Sequence, residues 1–238
     1  MSFLDCIRRV DKQISTSKKI TNTFAILIFG IALGIVSKFF DTTASNELPF
    51  IVQYLDIRNF LGRFSIWVLI ALCISLYSHS PFRAAINVFL FFLGMITSYY
   101  LYSAFIAGFF PASYAMIWFG FTVISPLLAF VCWYAKGKGH VSLVISAAIV
   151  AVLFHMTFVY GWIYFEVRSI LELFVFVCGI IVMKRDTAIN TICMIIIGIV
   201  LAFALHFVFP FSFWISRSRF LEKCEERSRD SFGLQLLR

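Results

Sequence analysis

Charge is what this chain is short of. Only 13% of its 238 residues are Asp, Glu, Lys or Arg, where a soluble domain carries about 25%. No polar stretch is long enough to enclose a core of its own, which excludes a separate soluble domain. Catalytic signatures are missing as well. There is no H-E-x-x-H, no G-x-S-x-G and no G-x-x-x-x-G-K-[ST], hence no zinc-protease helix, nucleophile elbow or phosphate loop. The G-K-G of AKGKGH is a short basic turn with no strand before it. No glycine–aspartate pair suggests an intramembrane aspartyl protease. Of six cysteines, Cys73, Cys132, Cys178 and Cys193 lie inside apolar runs, and no two have metal-ligand spacing. They read as small hydrophobes, not as a disulfide framework or a zinc site. The sequence therefore assigns no catalytic, cofactor-binding or metal residue, and no cofactor.

What is present is apolar. Hydrophobic residues make up 61% of the chain, mean hydropathy is +0.94, and the apolar residues fall in long runs. Such runs define a polytopic, all-α integral membrane protein whose partner is the lipid bilayer. Seven candidate spans are marked, near 20–40, 60–78, 82–103, 113–134, 141–160, 167–183 and 188–209. A spanning helix needs about 20 apolar residues, and the sixth run is the shortest. One bundle of about seven helices over 20–209 is expected, between a basic segment (1–19) and a charged tail (210–238). The first run continues to Phe40 with no small-residue cleavage site, which reads as an uncleaved signal anchor.

The formal charge of +8 does not imply nucleic acid, because the basic residues sit in short segments between the runs. There they decide topology. Arg8, Arg9, Lys12, Lys18, Lys19, Arg83, Lys136, Lys138, Lys184 and Arg185 fall on one face by alternation, against Lys38, Arg58, Arg63 and Arg168 on the other. The richer face, with the N-terminus, is expected in the cytoplasm. Seven spans put the tail outside with six basic residues, in conflict with that rule. The long external connection 41–59 contains LPFIVQYL, which suits either a short interfacial helix or a simple packed loop.

Inside the runs a few residues stand out. Gly30 and Gly34 form a G-x-x-x-G that lets another helix approach closely, within the bundle or in a dimer; oligomeric state does not follow. Pro126 is placed to kink the fourth span, either as plain structure or beside a substrate site. Arg63, Tyr99, His155, Arg168, Glu172 and His206 all fall near the external ends of their spans. Snorkelling and interfacial belts account for some of them. His155 and Glu172 lie about 7–8 Å deep, where ionisable groups line a wet cavity or a buried network. The internal halves contain far fewer polar groups, chiefly Asn87 and Asn190.

Two stretches, NFLGRFSIWVLIALCISLYSHSPFRAAINVFLFFLGMITSYYLY and SPLLAFVCWYAKGKG, resemble small bacterial multi-pass membrane proteins of a family of unknown function. The resemblance covers about half the chain. It implies a bacterial cytoplasmic membrane and carries over no catalytic or ligand residue. Three expectations stand side by side: a protein that binds or moves a small molecule or lipid through an external-side cavity, a membrane-embedded enzyme acting on a lipid or envelope substrate, and an accessory subunit working through helix contacts.

Overall fold

A computed structural model describes residues 7–10, 15–43, 48–161 and 164–208. The tail from 210 onward, and with it the question of its side, lies outside the described residues. The described chain is almost entirely helical. In order it forms α1 (Thr16–Thr42), α2 (Phe50–Tyr54), α3 (Ile57–Leu61), α4 (Phe64–Tyr77), α5 (Pro81–Phe105), α6 (Ala112–Trp133), a 3-10 turn (Tyr134–Lys136) and α7 (Gly139–Thr157). A hairpin of β1 (Phe158–Tyr160) and β2 (Phe165–Val167) follows, then α8 (Ile170–Val182) and α9 (Ala188–Val208).

Five helices are long and apolar enough to cross a membrane: α1, α5, α6 with its 3-10 extension, α7 and α9. The other two expected spans are shorter. α4 has 14 residues and α8 has 13, about 20 Å each at 1.5 Å per residue, against a hydrocarbon core of about 30 Å. Polar residues set those lengths. Arg63 precedes α4 and Ser78 ends it. Ser169 caps α8, its hydroxyl accepting from the Glu172 N–H at 3.4 Å. α4 nevertheless sits inside the bundle. Trp67, Leu69, Leu72 and Leu76 are buried, and α4 contacts α5, α6, α7 and α8.

The seven longer helices alternate in direction. One end of the bundle gathers the starts of α1, α5, α7 and α9 and the ends of α4, α6 and α8. Arg8 marks it, its guanidinium donating to the carbonyls of Trp133 (2.7 Å) and Leu76 (3.0 Å). The opposite end carries Arg63, His155, Glu172 and His206.

α1 and α5 run parallel at very close range. A Cβ at Gly30 would strike the Phe91 carbonyl, and one at Gly34 the Met95 carbonyl. Gly94 on α5 answers them, facing the Leu27 carbonyl. Ser98 then donates across to the Ile31 carbonyl at 3.0 Å. The G-x-x-x-G thus lies against α5 of the same chain, where only a hydrogen fits.

α6 passes through Pro126 without a break. Proline leaves the carbonyl four residues back, that of Thr122, without its usual donor. The buried Ser125 hydroxyl donates to that carbonyl at 2.8 Å. The side chain before the proline thereby replaces the missing N–H within the helix itself.

Segment 48–61 forms two short helices rather than one. Asp56 sits between them at φ 50°, with Asn59 Nδ2 donating to its carboxylate at 2.9 Å. Phe50, Ile51 and Tyr54 are exposed on α2, so LPFIVQYL presents an apolar face outward.

The expected scarcity of polar groups in the Arg8 half does not hold. Ser75, Ser78, Asn87, Ser142 and Ser146 are buried there. Ser75 Oγ donates to the Ala129 carbonyl at 2.7 Å, and Trp133 Nε1 to the Ser78 carbonyl at 2.7 Å. Arg185 donates to Ser142 Oγ (3.2 Å), Ser146 Oγ (3.0 Å) and the Gly137 carbonyl (3.2 Å). Serine scores as weakly polar in a hydropathy run. Its hydroxyl satisfies a helix carbonyl at little volume cost, so hydropathy alone hides it.

Candidate functional site

Glu172 organises the end opposite Arg8. It is the third residue of α8, just inside the cap made by Ser169, and its side chain turns into the bundle, where it is 1% exposed. Arg63, the residue before α4, donates from Nη1 to Glu172 Oε1 at 3.2 Å. Arg168, one turn before Glu172, places Nε 3.8 Å from Oε2. That is ion-pair range but too long for a hydrogen bond. One carboxylate thus lies between two guanidiniums from different elements, and the triad keeps a surplus of one positive charge. The arginine side chains remain 37% and 27% exposed, so the carboxylate is sealed while the cations reach the surface.

Orphaned atoms mark the same end. Among the described residues Glu172 Oε2 accepts no hydrogen bond, the buried Arg168 Nε donates none, and the buried Ser65 hydroxyl, in the first turn of α4, has no partner. Each unsatisfied buried polar group costs about 1–3 kcal/mol.

The β-hairpin holds Arg168 in place. Val159 pairs with Glu166 and Phe158 with Val167, and the Arg168 N–H donates to the Thr157 carbonyl at 3.0 Å. Thr157 Oγ1 donates in turn to the Glu172 carbonyl at 3.1 Å. Residues 158–167, expected to divide between the end of the fifth span, a connection and the start of the sixth, are therefore an ordered strand pair. Tyr160 is buried, whereas all three residues of β2 are exposed.

Beside this triad lies an aromatic and imidazole group. Tyr160 donates from its hydroxyl to the Ala202 carbonyl at 3.0 Å, and His155 Nδ1 lies 3.2 Å from that hydroxyl. The His206 ring lies tilted, 4.8 Å from the Tyr160 ring and 6.1 Å from His155, centre to centre. Thr157, two residues beyond His155, carries the bond to the Glu172 carbonyl and so joins this group to the triad.

Of the six residues expected to line one polar cavity, five thus belong to neighbouring groups at one end. Tyr99 does not. Its hydroxyl donates to Asp41 at 3.0 Å, and Lys38 pairs with the same carboxylate at 2.6 Å while lying 4.9 Å over the Tyr99 ring. This separate cluster ties the end of α1 to α5. Lys38 is itself buried, at 7% exposed.

Sequence reasoning missed Tyr160, Thr157 and Ser169. The pattern Ser169-x-x-Glu172 is a capping-box signal that could have found Ser169. Among the described residues no three His, Cys, Asp or Glu side chains group closely enough to hold a metal. No family model, no curated protein and no solved structure matches the chain.

Proposed function

We propose that this is a non-enzymatic, multi-pass membrane protein that binds the anionic group of a small molecule or lipid at the external end of its bundle. The observation that carries the reading is the Arg63–Glu172–Arg168 triad. Two part-exposed guanidiniums share one fully buried carboxylate, so one unit of positive charge is left to meet an anion. Guanidinium edges suit phosphate and carboxylate oxygens in pairs. Glu172 spaces the two cations and weakens their field, which favours a ligand that must also leave. His155 and His206 extend the site toward α9.

Several further features belong to this reading. The chain sits in a bacterial cytoplasmic membrane with its N-terminus inside; the ten-to-four division of basic residues ahead of the tail supports that orientation. α4 and α8 complete seven crossings, with Arg63, Arg168 and the hairpin spanning the headgroup region where the short helices stop. Thinning of the bilayer beside them accommodates the mismatch.

The test uses the full chain in nanodiscs with decyl phosphate as probe and decyl maltoside as the uncharged comparison. Thermal unfolding is followed against probe concentration. Decyl phosphate is expected to stabilise the native chain selectively, and Arg63→Gln is expected to remove at least about fourfold of that apparent affinity. Equal stabilisation by both probes, or no effect of Arg63→Gln, would refute the proposal.

A further inference from the structure

The Arg8 end holds a second place where charge and an apolar groove coincide. α1 and α5 stay in contact toward their starts, through Leu27 with Gly94 and Thr23 with Asn87. Along one side of the pair runs a groove of about 200 Å³ lined by Ile20, Thr23, Phe24, Leu27, Arg83 and Leu90. Its walls are apolar, and Ile20 and Phe24 are 64% and 61% exposed at its mouth. One cation closes it. Arg83 uses only Nη2 within the protein, donating to the Lys19 carbonyl and to Thr23 Oγ1. Those bonds hold the guanidinium at the groove. Nη1 and Nε have no partner among the described residues and are not sealed off. No carboxylate pairs with Arg83 among those residues either.

The backbone adds to this charge. Both α1 and α5 begin at this end, so the positive ends of two helix dipoles flank the groove. Lys18 and Lys19 lie in the first turn of α1. An occupant must therefore have an anionic head to meet Arg83 and a hydrocarbon tail to cover Leu27 and Leu90. A soluble anion meets only the first requirement and a neutral lipid only the second.

We infer that the α1–α5 groove is a binding site for an anionic phospholipid of the leaflet at the Arg8 end. The phosphate takes the free edge of Arg83, and one acyl chain lies between Ile20, Phe24, Leu27 and Leu90. Basic pockets between membrane helices hold anionic headgroups in this way. The site is independent of Arg63 and Glu172, which lie at the other end of the bundle.

The experiment is native mass spectrometry of the full chain, purified in detergent and delipidated. It is titrated with phosphatidylglycerol, with phosphatidylcholine of the same acyl chains, and with glycerol phosphate, which has none. One phosphatidylglycerol is expected to be retained in preference to phosphatidylcholine, and glycerol phosphate is expected not to be. Arg83→Gln should lower that preference by about fivefold or more when compared in a chain that already carries Arg63→Gln, so that the triad at the other end does not contribute to retention. Should Arg83→Gln fail to give a monodisperse protein, Ile20→Trp carries the test. It blocks the groove mouth at an exposed position and is expected to reduce retention similarly. Equal retention of the two lipids, binding of glycerol phosphate as tight as that of phosphatidylglycerol, or unchanged preference in the folded variant would each overturn the inference.

Discussion

Replacing Glu172 by Gln separates two roles that a single carboxylate plays at the triad. The amide keeps the shape and can still accept from Arg63, but the negative charge is gone. The two contacts of 3.2 and 3.8 Å represent about 5 and about 4 kcal/mol of raw Coulomb energy at an effective dielectric of about 20. Most of this is offset. Burying a carboxylate costs several kcal/mol, and the two arginines, 37% and 27% exposed, are screened by solvent. The hydrogen bond from Arg63 also loses its charged acceptor while keeping its charged donor, which costs about 1 kcal/mol. The expected net destabilisation is about 2 kcal/mol. Binding should move in the opposite direction. The triad goes from one surplus positive charge to two. An added charge about 6 Å from the ligand, at an effective dielectric of about 40, contributes about 1.4 kcal/mol, or about tenfold in affinity. Thermal unfolding in nanodiscs with and without decyl phosphate reads both quantities. A folded Glu172→Gln protein that binds decyl phosphate more weakly than the native chain would refute the reasoning. Glu172 would then be a ligand contact rather than a competitor.

The remaining predictions concern the frame around the site. Ser125→Ala leaves the Thr122 carbonyl without its donor and should destabilise the protein by about 1–3 kcal/mol, measured by detergent-resistant unfolding; a change within error would mean that the proline is accommodated some other way. Gly34→Val drives a side chain into the Met95 carbonyl and should cost about 3 kcal/mol or more as overpacking, whereas the same change at Gly120, where added atoms meet nothing within 4 Å, should cost about 1 kcal/mol or less. Arg8→Ala removes the bonds to Trp133 and Leu76 and should raise amide exchange over residues 7–10; unchanged protection there would show that Ile7, itself 7% exposed, holds the segment alone. In a chain with its six cysteines replaced by serine, a Cys at position 166 should react with an impermeant maleimide in intact cells, and one at position 138 only after permeabilisation. The reverse pattern would invert the proposed topology.

Much of this was legible in the residues. Long apolar runs make helices wherever no water can satisfy a backbone, because each peptide group must then bond within its own segment. The positions of α1, α5, α6, α7 and α9 follow from that, as does the collection of Arg63, His155, Arg168, Glu172 and His206 at one end. Gly30 and Gly34 were visible as a place for close approach, and Arg168 with Glu172 as neighbours one turn apart.

Partners across the bundle were not legible. Nothing local pairs Arg63 with Glu172, 109 positions away. Only the docking of α4 against α8 brings them together, and it leaves Tyr99 with Asp41 instead. Nor could charge counting separate Arg8 and Arg185, which bond to helix carbonyls and serine hydroxyls, from basic residues that only set orientation. The hairpin is the same case, since two three-residue strands carry too little periodicity to stand out beside apolar helices. Composition and hydropathy are sums over neighbouring residues, and they decide the solvent a segment prefers. Which buried charge meets which depends on how helices distant in sequence lie side by side, and that was decided by packing alone.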